Sequence, residues 1–348
     1  MTEYFIAMDV HCAFSEMAVV TGSGKLVRRD RLETSIPALR TAIAAIPRPR
    51  RLTFEEGPLA DWLTRELHAG VNELLVCEPR RNHWIACEGD KDDPVDARKL
   101  ADLYRGGYLK EVHQAGSLRR SLLKQHVGLY HDRVRERVRQ GHQLAALFRR
   151  HGVFLKAVKL LDDDEWSAAL DRLPAAELLR RSLARVRQAY QLLSVQEESL
   201  REELIGLAKN EEPVRRFQEL PGMGWIRSVT FYSYIDAPQR FRSKAALWRY
   251  AGIGLERRHS GQGPMRTRLS HRGHRRLKDA LMGAAKSAIV QAANPFAEKH
   301  RHWTLEKGMP ATNARRNVAR AIAAALWSLW KTGQPYDPLR VTAASPLA

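Results

Sequence analysis

Apolar residues recur along this chain with two different periods. Short apolar runs at Phe5 to Val10, Glu16 to Thr21 and Leu26 to Leu32 read as strands, and Gly22-Ser23-Gly24-Lys25 has the composition of a tight turn between antiparallel strands. Helical spacing then takes over at Ile36, Leu39, Ile43 and Ile46. A strand at Leu52 to Glu55 follows, then a helix carrying Leu59, Trp62, Leu63 and Leu67, then a strand at Leu74 to Cys77. The predicted order is βββαβαβ, with the first and fourth strands side by side and parallel. After a loop with Arg80, Arg81 and Trp84, helical spacing resumes through Asp93, Asp96, Ala97, Leu100 and Leu103.

The remainder reads as helix. A long basic helix is predicted from Ser117 to His151, with Leu123, Val127, Tyr130, Val134 and Val138 on one stripe. A second has heptad spacing at Leu179, Leu183, Val186, Tyr190, Leu193, Leu200 and Leu204, and the two can pair antiparallel within one subunit or across subunits. Near the end, Val318, Ile322, Ala325, Leu326, Leu329 and Trp330 form a core stripe, and the residues after Pro338 read as a loose tail. The expected organisation is an α/β domain over 1–112, a helical, coiled-coil spacer over 113–212 and a mainly α-helical domain over 213–348.

Composition narrows the function. The 348 residues include 58 Lys and Arg against 39 Asp and Glu, a net charge of +19, which points to a polyanionic partner. Hydrophobic residues make up 44%, so the charge sits on folded domains and not on a disordered basic tail. No apolar run approaches the ~20 residues of a membrane span, and Met1 to Val10 lacks the pattern of a signal peptide. A cytoplasmic protein is expected, nucleoid-associated when active. Cys12, Cys77 and Cys87 are too few for a disulfide framework. Cys77, His83 and Cys87 have irregular spacing for zinc, so the cysteines are read as core residues and His83 as a loop residue.

Four carboxylates fall at telling stations. Asp9 ends the first strand and Glu55, with Glu56 as its competitor, ends the fourth; parallel pairing brings these ends together. Asp93 and Asp96 share a helix face at i, i+3 spacing, whereas Asp92 points off that face. Hard oxygen donors in such a set suit Mg²⁺, or Mn²⁺, and two ions about 4 Å apart can clamp the attacking and leaving oxygens of phosphoryl transfer. No organic cofactor is expected. Each acid taken alone reads equally well as a cap or a solvated charge.

Two further segments carry candidate chemistry. The turn at Leu220-Pro221-Gly222-Met223-Gly224 precedes an apolar helix, and Gly222 and Gly224 could present backbone amides to a phosphate. Arg257-Arg258-His259-Ser260-Gly261-Gln262-Gly263 leads into Arg266, Arg268, Arg272, Arg275, Arg276 and Lys278. Flanking glycine and cations would let Ser260 attack a phosphodiester, while the plainer reading makes it a phosphate contact in a basic loop.

These motifs resemble the IS one-ten family of insertion-sequence transposases over nearly the whole chain. The first two family acids correspond to Asp9 and Glu55, and the motif Lys-Thr-Asp-x-x-Asp-Ala appears as Lys91-Asp92-Asp93-Pro94-Val95-Asp96-Ala97. The C-terminal signature is met by Pro221 to Gly224, Arg240-Phe241, Tyr250-Ala251-Gly252, Ser260-Gly261 and Arg272 to Arg275. Three places depart from it. Glu-x-Thr-Gly reads Glu55-Glu56-Gly57-Pro58, a usual proline is Leu255, and a usual Ser-Ser pair is His259-Ser260.

The resemblance implies an RNase H-like (RuvC-like) first domain with a DEDD metal set at Asp9, Glu55, Asp93 and Asp96. It further implies a C-terminal domain whose Ser260 links transiently to a DNA end. Element-end and target DNA, a structured guide RNA from the element, and a dimer or tetramer in which acids of one subunit approach the serine of another are its implied partners. Two rivals stand beside this reading. One is a Mg²⁺-dependent, structure-selective nuclease resembling a Holliday-junction resolvase, and the other a non-catalytic nucleic-acid-binding protein.

Overall fold

The computed structural model describes residues 2–79, 93–156, 159–258, 266–269 and 273–343. Their contacts divide the chain into two compact units, Met1–Ser121 and Leu122–Ala348.

The first unit is built on one sheet. β1 (Tyr4–Val10), β2 (Phe14–Thr21) and β3 (Leu26–Glu33) form an antiparallel meander, then come α1 (Ile36–Ala44), β4 (Arg50–Glu55), α2 (Ala60–Leu67), β5 (Glu73–Cys77) and α3 (Asp93–Arg105). The strand order is β3-β2-β1-β4-β5, with β1 parallel to β4 and β4 parallel to β5. Alternation in β1 and β2 is apolar on both faces, which is why helices cover both. Ile6, Met8, Met17, Val19, Leu52 and Phe54 form one core with Leu39 and Ile43 of α1 and Leu63 and Leu67 of α2. Phe5, Ala7, Val20 and Cys77 face the other way and pack on Leu100, Ala101 and Tyr104 of α3. The edge strand β3 alternates exposed and half-buried positions and carries Arg28, Arg29 and Arg31, charges that discourage edge pairing with another chain.

In the second unit the two long helices form a hairpin within one chain. α4 (Leu118–Arg149) and α6 (Glu177–Lys209) flank the short α5 (Asp163–Asp171). Leu123 and Val127 early in α4 share a core with Leu204 and Ala208 late in α6, while Leu144 and Phe148 late in α4 share one with Leu183 early in α6. The pairing is therefore antiparallel. Midway, the Arg137 guanidinium grips the Glu197 carboxylate and donates to the Tyr190 hydroxyl at 3.3 Å. At the tip Phe148 meets Trp166 of α5 edge to face, ring centres 5.2 Å apart. Asp162 caps α5 by accepting the Glu165 N–H at 3.1 Å.

The rest of this unit is a helical cluster: α7 (Glu212–Phe217), α8 (Trp225–Ile235), α9 (Lys244–Tyr250), α10 (Arg275–Val290), α11 (Pro295–Arg301), α12 (Ala311–Thr332) and α13 (Pro338–Ala343). A two-stranded ribbon, β6 (Leu255–Arg258) and β7 (Arg266–Leu269), stands between α9 and α10 in the chain. The predicted stripe of α12 is correct, since Val318, Ile322, Leu326 and Leu329 are buried and Ala325 and Trp330 pack against them. Two sequence expectations need correction. The segment after Pro338 forms α13 and buries Val341, because that side chain has an apolar surface to cover. Cys12 is exposed, not a core residue, because it sits in the connection between β1 and β2, whereas Cys77 is buried as expected. His83 and Cys87 lie outside the described residues.

Removing the Phe148 ring should open the hairpin tip. Phe148→Ala is expected to cost about 3–5 kcal/mol locally, seen as faster amide exchange across α5 with exchange in β1 unchanged.

Candidate functional site

The first unit brings its acids to one sheet face. Register pairs Met8 with Phe54, so the next step along the parallel strands sets Asp9 beside Glu55 at their finishing ends. Alternation places Asp9 on the side of Phe5 and Ala7, and Glu55 on the side of Thr53, the face covered by α3. Glu55 is half-buried while Glu56, one residue on, is exposed, so the strand itself distinguishes the two. In α3, Asp96 adjoins the buried stripe of Ala97, Leu100, Ala101 and Tyr104. Tyr104 at the other end of that stripe meets Phe5 edge to face at 5.6 Å and donates to Glu73 at 3.1 Å, near the starting ends of β1 and β5. The first turn of α3, with Asp93 and Asp96, is thereby carried away from the starting ends. Asp93 lies on the helix, and its side chain is outside the described residues.

One acid escaped the sequence reading. Glu16 pairs in register with Asp9 across β1 and β2, so it occupies the same face. It is buried, with Arg31 of β3 at 3.7 Å. The signal is the short connection after Val10, which sets this register and makes Glu16, the first residue of the second apolar run, the partner of Asp9. Asp9 also has His11 Nε2 at 3.2 Å from its Oδ2. Carboxylate oxygens are the donors a hard divalent cation takes. Among the described residues, however, no three His, Cys, Asp or Glu side chains gather into a group that could hold a metal ion.

In the second unit the glycine turn has a packing role that the sequence did not reveal. Gly222 has φ +82°, and a Cβ there would stand 2.2 Å from the Ala284 carbonyl oxygen and 2.9 Å from the Ala288 nitrogen of α10. Its own N–H donates to Gln291 at 3.1 Å, so this amide is not offered to a ligand. Gly224 differs. It is the N-cap of α8, exposed, with open space where a Cβ would go.

The other signature residues build a compact knot. Arg240 stacks 4.2 Å over the Tyr250 ring, and the Tyr250 hydroxyl donates to the Tyr234 carbonyl at 3.1 Å. His274 lies 3.9 Å from the Tyr234 ring centre and caps α10, its Nδ1 accepting the Leu277 N–H at 3.4 Å. Gly252 and Gly273 touch back to back, a Cβ on Gly273 falling 2.3 Å from the Gly252 Cα. Two chain segments flanking the basic loop are thus clamped at its base. Arg276, predicted as a nucleic-acid contact, donates to both oxygens of Asp132 at 2.8 Å and to the Tyr234 hydroxyl at 2.9 Å. Its charge is matched internally, which ties α10 to α4. No sequence signal links Arg276 to Asp132, because their separation is 144 residues.

The remaining cations have a simpler placement. Arg275 is exposed, and Lys278 lays its stem 3.5 Å from the Cβ position of Gly252. Register sets Arg258 opposite Arg266 and Glu256 opposite Arg268, with Arg257 opposite Thr267. Ser260 and Arg272 lie outside the described residues.

Two half-buried histidines adjoin the knot. His131 Nε2 is 2.9 Å from the Thr230 hydroxyl, which already donates to the Ile226 carbonyl at 2.6 Å, so the imidazole donates and carries its proton on Nε2. Burial, reinforced by Arg276, lowers the His131 pKa to about 4, and burial with Lys124 nearby lowers that of His274 to about 4.

Comparison with known proteins agrees with this half of the molecule. Residues 214–301 match the family described as Transposase IS116/IS110/IS902 family. Over 123 residues the chain is 26% identical to the transposase for insertion sequence element IS1111A of Coxiella burnetii (strain RSA 493 / Nine Mile phase I), covering 35% of this chain and 32% of that relative. The chain thus matches about a third of the relative's length.

Two outcomes are expected. Gly222→Ala, forced against the α10 backbone at positive φ, should lower stability by about 2 kcal/mol or more, whereas Gly224→Ala should melt like the parent. Both His131 and His274 have folded pKa values below the ~6.5 of an unfolded chain, so unfolding takes up protons between pH 6.5 and about 4. Their contribution is complete above that window and is lost as pH falls through it. Urea midpoints across the window should decline, and His131→Gln should shallow the decline.

Proposed function

We propose that this protein is a DNA transposase that excises and inserts an insertion sequence by metal-assisted, serine-dependent strand exchange. The match of residues 214–301 to an insertion-sequence transposase family carries this reading. Those residues contain the knot and the basic loop with Ser260, so the matched segment coincides with the built base of the proposed nucleophile's loop. A net charge of +19 supports a polyanionic partner.

The first unit is read as RNase H-like. The order β3-β2-β1-β4-β5, helices on both faces, and Asp9 and Glu55 at adjacent strand ends support that assignment. Asp9, Glu55, Asp93 and Asp96 would hold Mg²⁺ or Mn²⁺, which would supply positive charge for the oxygens entering and leaving phosphorus. Glu16, beside Asp9, would keep that end of the sheet electronegative.

For the strand step, the Ser260 Oγ would attack a DNA phosphorus. A phosphorus–oxygen bond to Ser260 forms as one phosphodiester P–O bond breaks, the serine proton passes to solvent or a base, and the departing strand end is released as a hydroxyl after protonation. Attack of a second strand's hydroxyl on the phosphoserine reverses these changes and restores the serine. Arginines around the loop would offset charge on the non-bridging oxygens. The reading extends to a guide RNA encoded by the element and to a homo-oligomer, both supported by the motif resemblance.

The test is a covalent-adduct assay with labelled element-end DNA, flank-derived RNA and Mg²⁺, followed by denaturation. Wild type should give an adduct that Ser260→Ala and Asp9→Ala both abolish. Metal-dependent cleavage that survives Ser260→Ala without an adduct would replace this reading with a resolvase-like nuclease. Salt-sensitive binding without strand breaks would leave a nucleic-acid-binding protein.

A further inference from the structure

Within the second unit, α9, α11, α12, α13 and the segment after α12 line a half-open cavity of about 300 Å³. Its lining combines Trp248, Trp303 and Tyr336 with Lys244, Lys299 and Arg340, the last held by Asp337, also of the lining, at 3.4 Å. None of these residues belongs to the acid set, the glycine turn or the basic loop.

The cavity is built, not left over. α12 ends at Gly333, whose φ of +67° turns the chain back across the helix cluster. Arg216 holds the Gly333 carbonyl, Glu219 accepts the Tyr336 N–H at 2.9 Å, and the Tyr336 ring stacks on Phe296 with centres 6.4 Å apart. On another side, Trp248 is oriented by its indole N–H, which donates to the Arg320 carbonyl at 3.0 Å. The stretch of α12 beneath presents Ala321, Ala324 and Ala325, residues too small to fill the space. Lys299 stands 6.0 Å from the centre of the Trp303 ring, and burial lowers its pKa, so its ammonium gains from an anion that enters.

This lining selects a ligand class. A purely apolar ligand has no use for Lys244 and Lys299, and a free inorganic anion has none for three aromatic walls. A nucleotide uses both, its base against aromatic faces and its phosphate on lysine or arginine. A base inside a duplex cannot enter a pocket, so the nucleotide has to be unpaired.

We propose that this cavity takes one unpaired nucleotide of a single-stranded nucleic acid, with the base on Trp248, Trp303 and Tyr336 and the phosphate on Lys244 and Lys299. The inference rests on the reading of the chain as a nucleic-acid protein, but on neither Ser260 nor the acids.

The experiment uses the full chain with a short oligothymidylate and a matching oligouridylate, each carrying one iodouracil, irradiated and mapped by mass spectrometry. Crosslinks are expected on Trp248, Trp303 or Tyr336, and the strand that gives them tells whether DNA or RNA supplies the nucleotide. The double variant Ala324→Leu with Ser328→Leu fills the cavity from α12 with good helix formers and leaves its walls intact. It should weaken single-strand binding by roughly five- to a hundredfold and leave duplex binding unchanged. An abasic substitution at the crosslinked position should cost the parent a similar factor and the filled variant nothing. Lys244→Gln with Lys299→Gln provides a second route should the filled variant not fold, and is expected to flatten the salt dependence of single-strand binding. Crosslinks confined to other surfaces, parental affinity in the filled variant, or an unchanged salt slope would each overturn the proposal. A chain that binds duplex but shows no cavity crosslink overturns this inference alone. One that binds neither DNA nor RNA overturns the functional reading with it.

Discussion

Burial of β1 on both faces is the constraint from which the first unit follows. A strand with Ile6 and Met8 on one side and Phe5 and Ala7 on the other, all buried, needs a helical layer above and below. Parallel pairing with β4 then becomes natural, since α1 crosses one face between the two strands. Polar groups are excluded from such a strand except where it runs out of cover. Asp9 stands at that point, and Glu55 stands at the corresponding point of β4. The location of the acids is thus a result of how the core is closed, and Glu16 joins them because antiparallel register leaves it no other face.

The second unit depends on close backbone approach. Gly222 against Ala284 and Gly252 against Gly273 are contacts that any Cβ would prevent. Residues that a motif search would assign to ligand binding therefore divide in two. Gly222, Arg240, Tyr250, Gly252, His274 and Arg276 hold helices and the base of a loop together, while Gly224 and Arg275 face solvent. The holding group fixes the two chain segments on either side of the basic loop. The two neutral histidines belong with the holding group, since each spends its ring nitrogen on a hydroxyl or a helix end.

The distribution of charge fits this division. Arginines with carboxylate partners, such as Arg137 and Arg276, brace α4 against α6 and α10. Lys244 and Lys299 instead line the α12 cavity. Contact with a polyanion and the holding of one unpaired nucleotide, both proposed here, would be different tasks. The first needs density of cations, and the second needs shape.

Much of the first unit was legible in the sequence because its elements announce themselves locally. Period-two runs and helical spacing determined the βββαβαβ order, and strand ends determined where Asp9 and Glu55 would fall. The long helices were legible by the same periodicity, but their partner was not, since a heptad stripe reads alike whether it meets its own chain or another. Tertiary structure decided that α4 and α6 pair internally, that Gly222 is reserved for α10, that Arg276 is bound by a residue far away in the chain, and that the tail after Pro338 buries Val341. Periodicity reports which side of an element is apolar. It carries no information about which distant surface that side will meet, and each of these features is a meeting of that kind.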